Sequence, residues 1–230
     1  MDKVVITQFS DPMMGLSWEC EPAIRRVEEK LGDAVEIRDC MAVLVRDVAY
    51  FMTPAERAMP EEAGICAYNA RLAQIYLSEV PIGGVPMNME GFSLFAPGRR
   101  ASLPLCLAYE AAKLADPGKA RAFLHRLREA TVLECRPTTK LNEIMRVVRI
   151  CGIDEGAFLE RFEDGAALAA LEDDQRYKES LGIWALPAFL VECGGRAALI
   201  RGAVDFEALM RAITSVADET VQHPFFPEMI

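Results

Sequence analysis

The chain has 230 residues, 52% hydrophobic and 26% charged, which is the composition of a folded globular protein rather than a disordered one. Its 25 basic and 35 acidic residues give a formal net charge of −10, which argues against nucleic acid or an anionic membrane as a partner, because both are bound through clustered Lys and Arg. The seven cysteines form no CxxC pair, and with only two histidines they predict no metal site.

The N-terminal segment is not expected to be a secretory signal, since its apolar run before Gln8 is short and no small-residue cleavage site follows. No window reaches the roughly 18 apolar residues that a membrane-spanning helix needs. We therefore expect a cytoplasmic protein whose cysteines are reduced and mostly buried.

The first 45 residues predict a strand, a helix and a second strand. Residues 3–9 are rich in β-branched side chains and end in Ser-Asp-Pro, which predicts a buried strand. Apolar residues recur on one face of residues 18–31, which predicts a helix, and alternation from residue 35 predicts a strand that continues to residue 45. This order is typical of a parallel βαβ unit.

From about residue 60 to residue 177 the pattern is helical, with six predicted helices. An apolar segment without a clear period, residues 81–97, interrupts them and predicts a long loop. Strand character returns at residues 187–192 and again, after a Gly-Gly turn, at residues 197–200, and Asp205 caps a final predicted helix.

Written end to end, these elements predict an α/β thioredoxin fold, βαβ followed by ββα, that is opened by a large all-helical insertion. The thioredoxin-like domain is predicted at residues 1–57 and 178–230. The helical insertion domain is predicted at residues 58–177.

Two segments carry a resemblance to a known family. The first is Phe9-Ser10-Asp11-Pro12, followed by Trp18 and Glu21-Pro22, and the second is LGIWALPAF at residues 181–189. Both resemble the DsbA-like thioredoxin superfamily, particularly its FrnE-like branch and the related hydroxychromene carboxylate isomerase and kappa-class glutathione transferase group. The resemblance implies a protein disulfide oxidoreductase or isomerase with a cis proline at Pro187.

The resemblance also places the two active-site cysteines of the family at Met14 and Ser17, within Met14-Gly15-Leu16-Ser17. Dithiol exchange needs a thiolate at a helix N-terminus and a second thiol that resolves the mixed disulfide. A thioether and a hydroxyl supply neither, so we assign no catalytic residue here. Cys20 is the nearest thiol, and we interpret it as a core residue because carboxylates flank it and it lies on the apolar helix face.

Without dithiol exchange, the function we expect at this site is the binding of a ligand. In the thioredoxin fold a cis peptide before Pro187 turns the backbone of Leu186 toward the active-site turn, where it can pair with an extended peptide or with glutathione. The expected partner is thus a peptide or a small thiol ligand. The predicted binding residues are Met14, Gly15, Leu16, Ser17, Trp18, Leu186 and Pro187.

Several alternatives stay open. Ser17 is either the N-cap of the helix or a group that assists glutathione in an isomerase or transferase of the kappa-like group. The methionines and phenylalanines of the predicted loop at residues 81–97 suit either an adaptable binding surface or ordinary core packing. A third function is a structural protein or homodimer, in which Phe225-Phe226 docks on a second copy. His125 has no recognisable partner motif and is given no catalytic role.

Overall fold

The computed structural model describes residues 2–217. Four strands form one sheet in the order β2-β1-β3-β4. They are β1 (Val4–Ser10), β2 (Val35–Met41), β3 (Ala188–Cys193) and β4 (Arg196–Arg201). β1 and β2 are parallel, whereas β3 runs antiparallel to β1 and β4 antiparallel to β3.

Helix α1 (Gly15–Leu31) connects β1 to β2, and α9 (Phe206–Ala217) follows β4. Between β2 and β3 lie α2 (Pro54–Ala58), α3 (Glu61–Gly83), α4 (Leu103–Ala115), α5 (Ala120–Val132), α6 (Leu141–Ile150), α7 (Glu155–Glu163) and α8 (Ala166–Ser180). The predicted α/β class and the thioredoxin fold with a helical insertion are therefore confirmed.

The first turns of α1 contribute to two hydrophobic cores. Cys20 and Ile24 pack in a core with strand residues such as Ile6 and with the apolar face of α9. Met13 and Trp18, by contrast, belong to the core of the inserted helices. The start of α1 is thus held between the sheet and the insertion.

Two predicted boundaries are wrong for identifiable reasons. The second strand ends at Met41 rather than at residue 45 because side chains, not a neighbouring strand, bind the next amides: Leu44 N–H donates to Asp11 Oδ2 and Val45 N–H to Ser102 Oγ. Helix α3 runs through Pro81 to Gly83, so the loop begins three residues later than the predicted residue 81. Gly84 ends the helix with φ +73°, a conformation that favours glycine, and donates its N–H to Val80 O.

The C-terminal tail with His223 and Phe225-Phe226 lies outside the described residues. Within residues 2–217, no helix is long and apolar enough to cross a membrane. No group of three or more His, Cys, Asp or Glu side chains in that range could hold a metal ion.

Candidate functional site at the first turn of helix α1

The turn between β1 and α1 is fixed by a buried carboxylate. Asp11 accepts hydrogen bonds from the Met13 and Leu44 amides, at 3.0 and 2.8 Å, and from the Ser102 hydroxyl. Burial raises the pKa of Asp11 to about 6, although these hydrogen bonds oppose the shift. Because Asp11 joins three segments, it sets where α1 begins.

Helix α1 begins at Gly15, with Met14 as its N-cap residue and no side chain capping it. Ser17 is therefore inside the helix, fully buried, and its Oγ has no hydrogen-bond partner among residues 2–217. The N-cap interpretation of Ser17 is wrong, because the helix starts three residues before the first predicted helical residue, Trp18. Met14, at the other position to which the family resemblance assigns a cysteine, is also buried.

Cys20 does not reach this turn as a reactive thiol. It is fully buried in the core beneath the sheet, and its Sγ accepts a hydrogen bond from the Val204 amide at 3.3 Å. Burial raises the pKa of the Cys20 thiol to about 11. The thiolate, which is the nucleophilic form, is therefore scarce at neutral pH.

Helix α3 lies across the N-terminus of α1. The Tyr76 hydroxyl donates to the Met13 carbonyl, and the Glu79 carboxylate sits so close to Gly15 that a Cβ at that position would overlap its Oε2. Burial, reinforced by the nearby Glu19 carboxylate, raises the pKa of Glu79 to about 7. A carboxyl group thus lies where a dithiol enzyme would use the helix dipole to stabilise a thiolate.

A cavity of about 180 Å³ lies between this turn and α3. Most of its lining is apolar, and it includes Met14, Gly15 and Leu16 of the predicted site. Its arginine, Arg71, is already paired with both carboxylate oxygens of Glu56, at 2.8 and 2.9 Å. That pairing lowers the pKa of Glu56 to about 2. The cavity therefore suits an apolar group better than an anion.

Trp18 faces a different depression of the surface. Its ring stacks on His125 with centroids 5.4 Å apart, and its Nε1 donates to the Pro86 carbonyl at 3.3 Å. Both rings line a hollow of about 250 Å³ that does not contain Met14 or Leu16. Trp18 thus lines a different hollow from Met14 and Leu16.

The segment before β3 contains the peptide bond between Leu186 and Pro187, which is cis. The Pro187 carbonyl accepts from the Gly202 amide at 2.8 Å, whereas the N–H and C=O of Leu186 form no hydrogen bond with any residue from 2 to 217. Trp184 is 81% exposed two residues earlier. Neither Leu186 nor Pro187 lines the apolar cavity, so the seven predicted binding residues do not share one pocket.

The phenylalanines and methionines of residues 81–97 were expected either to pack in the core or to form an adaptable binding surface. Phe92 and Phe95 are buried in the core of the insertion, as ordinary packing predicts. Met87 also packs against that core, but its methyl carbon lies 3.2 Å from where a Cβ of Gly15 would stand. Met87 therefore lies against the start of α1, where the site was predicted.

Sequence reasoning missed a charged cluster one turn further along α1. Glu21 binds Arg128 at 2.9 Å and also His125, both of them on α5. The hydrogen bond that His125 donates to the Glu21 carboxylate raises the pKa of His125. The contacts with His125 and Arg128 lower the pKa of Glu21 despite its burial. The residues are 104 and 107 positions apart in the chain, so no local pattern signals the pairing.

Residues 8–195 match the family model described as Thioredoxin. No curated protein sequence matches the chain. Because the model covers most of the chain, the protein belongs to this thioredoxin family.

Solved structures give the more specific likeness. A protein of Nitrosomonas europaea assigned as a protein disulfide isomerase is 19% identical to this chain, with a TM-score of 0.74. The match covers 93% of this chain and 97% of that chain. Another of Streptomyces coelicolor, assigned as a DsbA oxidoreductase, is 16% identical, with a TM-score of 0.69 and coverage of 98% and 94%. The cytosolic disulfide reductase DsbM of Pseudomonas aeruginosa is 20% identical, with a TM-score of 0.64 and coverage of 85% and 88%, and it has also been solved with glutathione. The fold is thus DsbA-like.

Proposed function

We propose that the chain binds an extended peptide or a small thiol peptide at the active-site end of its thioredoxin fold and does not exchange disulfides. The observation that carries this proposal is the identity of residues 14 and 17, a methionine and a serine where the resemblance assigns the two cysteines. The buried Cys20 supplies no replacement, because its pKa is raised and its sulfur accepts a core amide.

The charge at the N-terminus of α1 supports binding over thiol activation. A ligand thiol at this turn would lie near the Glu79 carboxyl, and a neighbouring carboxylate disfavours a thiolate. A ligand thiol would therefore ionise less readily here than at a helix N-terminus without such a carboxyl. This argues against a glutathione-dependent isomerase or transferase at this turn.

Two features support an extended ligand. The N–H and C=O of Leu186, which have no partner among residues 2–217, offer a donor and an acceptor to an added strand, which is how several domains hold peptides. The cavity beside Met14 and Leu16 has room for an apolar side chain of such a ligand. The glutathione complex of the Pseudomonas DsbM supports a small thiol peptide as the alternative ligand.

Insulin reduction by dithiothreitol tests the absence of exchange. We expect no acceleration by the wild-type protein, and acceleration by the Met14→Cys/Ser17→Cys variant, which serves as the positive control for a competent fold. Turnover by the wild type that disappears in Cys20→Ser would overturn the proposal.

Calorimetry tests the binding. The probes are reduced glutathione and the peptide acetyl-Gly-Leu-Phe-Gly-amide, each compared with an analogue whose backbone amides are N-methylated. We expect saturable binding of at least one probe and its loss on methylation, because a methylated amide cannot donate to the Leu186 carbonyl. Equal binding of both forms, or no binding of either probe at millimolar concentration, would contradict strand addition at Leu186.

A further inference from the structure

A polar cavity of about 200 Å³ lies beneath α1, between the sheet and α5. Side chains of β1, β2, α1 and α5 line it, among them Gln8, Asp39, Arg25 and Arg128. It shares no lining residue with the apolar cavity at the first turn. It is therefore a separate feature of the fold, to which neither the family resemblance nor the proposed function assigns a role.

The strand register and a buried arginine build one side of the cavity. Gln8 and Ser10 are two residues apart on β1, so their side chains point to the same face of the sheet, and Gln8 lies opposite Asp39 on β2. The guanidinium of Arg128 is fixed over this face, since it donates to Ser10 Oγ at 2.8 Å and to Glu21 Oε1 at 2.9 Å.

Two buried N–H donors of this cavity are unused. Gln8 is 1% exposed and Arg128 is 2% exposed. Neither Nε2 of Gln8 nor Nε of Arg128 has a hydrogen-bond partner among residues 2–217. A buried donor without an acceptor is destabilising, so an acceptor atom bound beside these two side chains would be stabilised by them.

Most charged side chains around the cavity are paired with one another. Its carboxylates already have arginine partners: Glu21 pairs with Arg128, and Glu28 and Asp39 both pair with Arg121. Arg25 lines the cavity from the exposed surface of α1 and has no ion pair with any other residue between 2 and 217. The three arginines and three carboxylates of the lining balance formally, and the groups without a partner in that range are the two N–H donors and the Arg25 guanidinium. These unused groups suit an acceptor atom and not a cation.

We propose that this cavity binds a small oxyanion, a carboxylate or phosphate group, which accepts hydrogen bonds from Gln8 Nε2 and Arg128 Nε and places its charge toward Arg25. Arginine suits this role because its planar fork recognises both groups. A polar cavity of this size otherwise fills with ordered water, so the experiment must separate an anion from water.

Tryptophan fluorescence provides a local readout. The chain has two tryptophans, and Trp184→Phe leaves only Trp18, which stacks on the cavity residue His125. Titration of this variant with sodium phosphate, against sodium chloride at equal ionic strength, is expected to give a saturable change in emission with phosphate alone. An identical response to both salts, or no saturation, would overturn the site.

Variants in the same background locate the binding. Gln8→Met removes one donor at nearly constant volume and is expected to weaken phosphate binding about tenfold. Arg25→Gln should also weaken it. The matched control is Arg26→Gln, because Arg26 lies over the Phe206 ring at 4.1 Å and does not line the cavity, and its phosphate affinity should be unchanged.

The exposed Arg25 keeps the proposal falsifiable if Gln8→Met does not fold. Unchanged affinity in Arg25→Gln would then be sufficient to reject the site. Crystals soaked in selenate give a direct answer, because an anomalous peak is expected within hydrogen-bond distance of Gln8 Nε2 and Arg128 Nε. Ordered water alone at that position would overturn the proposal.

Discussion

The first and second turns of α1 make an instructive comparison. At the first turn, Met14 and Leu16 border an apolar cavity, and the carboxyl of Glu79 is held where its ionisation is unfavourable. At the second turn, Glu21 takes part in a network with Arg128 that satisfies its charge. One helix thus presents an apolar surface where dithiol enzymes carry their chemistry, and its polar groups lie one turn further in.

The largest loss of stability is expected from a substitution at the second turn of α1. Arg128→Met leaves the mostly buried Glu21 carboxylate without its arginine, and breaking such a pair typically costs about 3–5 kcal/mol. Urea unfolding measures the loss. The matched control is Arg146→Met, at an exposed position on α6, which should stay within about 0.5 kcal/mol of the wild type. Equal losses for the two variants would show that the network does not stabilise the fold.

A smaller loss of stability is expected from a substitution at the first turn, where α3 crosses α1. Gly15→Ala places a Cβ against Glu79 Oε2, and also 3.2 Å from atoms of Tyr76 and Met87, so we expect a loss of about 1–3 kcal/mol in the free energy of unfolding. In a Glu79→Ala background that loss should fall below about 1 kcal/mol, because the closest atom is gone.

The control for Gly15 is a helical glycine with space around it. A Cβ added to Gly156 on α7 would meet only Asp154 Oδ1, at 3.3 Å. Gly156→Ala should therefore be neutral or stabilising by up to about 1 kcal/mol, since alanine is the better helix former. If the cost at Gly15 is the same with and without the Glu79 side chain, that carboxyl does not crowd the turn.

The element order could be read from the sequence, because period and punctuation are local signals. The βαβ and ββα halves and the helical character of the insertion follow from β-branched runs, helical repeats and the Gly194-Gly195 turn. Helix ends were harder to predict: the N-cap residue of α1 is Met14, whose side chain cannot cap, so the sequence carried no N-cap signal there.

The site was less predictable, because its contacts join distant parts of the chain. Glu79 reaches the first turn of α1 from α3, and Arg128 reaches Glu21 from α5. Neither residue carries a local motif. Sequence reasoning could therefore name the turn itself, from Asp11 to Trp18, but not the groups that set its electrostatics.

The pH dependence of stability reports the ionisation of the Glu79 carboxyl at the first turn of α1. The folded-state pKa of Glu79, about 7, exceeds its ordinary value of 4.5, so the folded protein binds more protons than the unfolded chain between these values. Glu79 therefore makes the free energy of unfolding fall as pH rises from about 4.5 to 7. After solvent screening of this half-buried group we expect a contribution of about 1 kcal/mol.

Urea unfolding of the wild type and Glu79→Gln across this range isolates the contribution. Asp11, with its pKa raised to about 6, acts with the same sign in both proteins, so the difference between the curves reports Glu79. Parallel curves would mean that the carboxyl at the first turn ionises as freely as one in water.

The smallest change in stability is expected at Ser17, where the informative result is whether Ser17→Ala stabilises or destabilises the protein. If Ser17 were the N-cap, Ser17→Ala would cost about 1 kcal/mol. In the structure its hydroxyl lies inside α1, buried and without a partner between residues 2 and 217, so alanine removes an unsatisfied polar group and adds helix propensity. We therefore expect Ser17→Ala to be neutral or up to about 1 kcal/mol more stable by urea unfolding. Thr53→Ala on α2 is the control, because Thr53 does cap its helix, accepting the Glu56 amide, and its loss should destabilise. A destabilised Ser17→Ala protein would mean that the hydroxyl has a partner, such as a bound water, and that this turn retains a polar function.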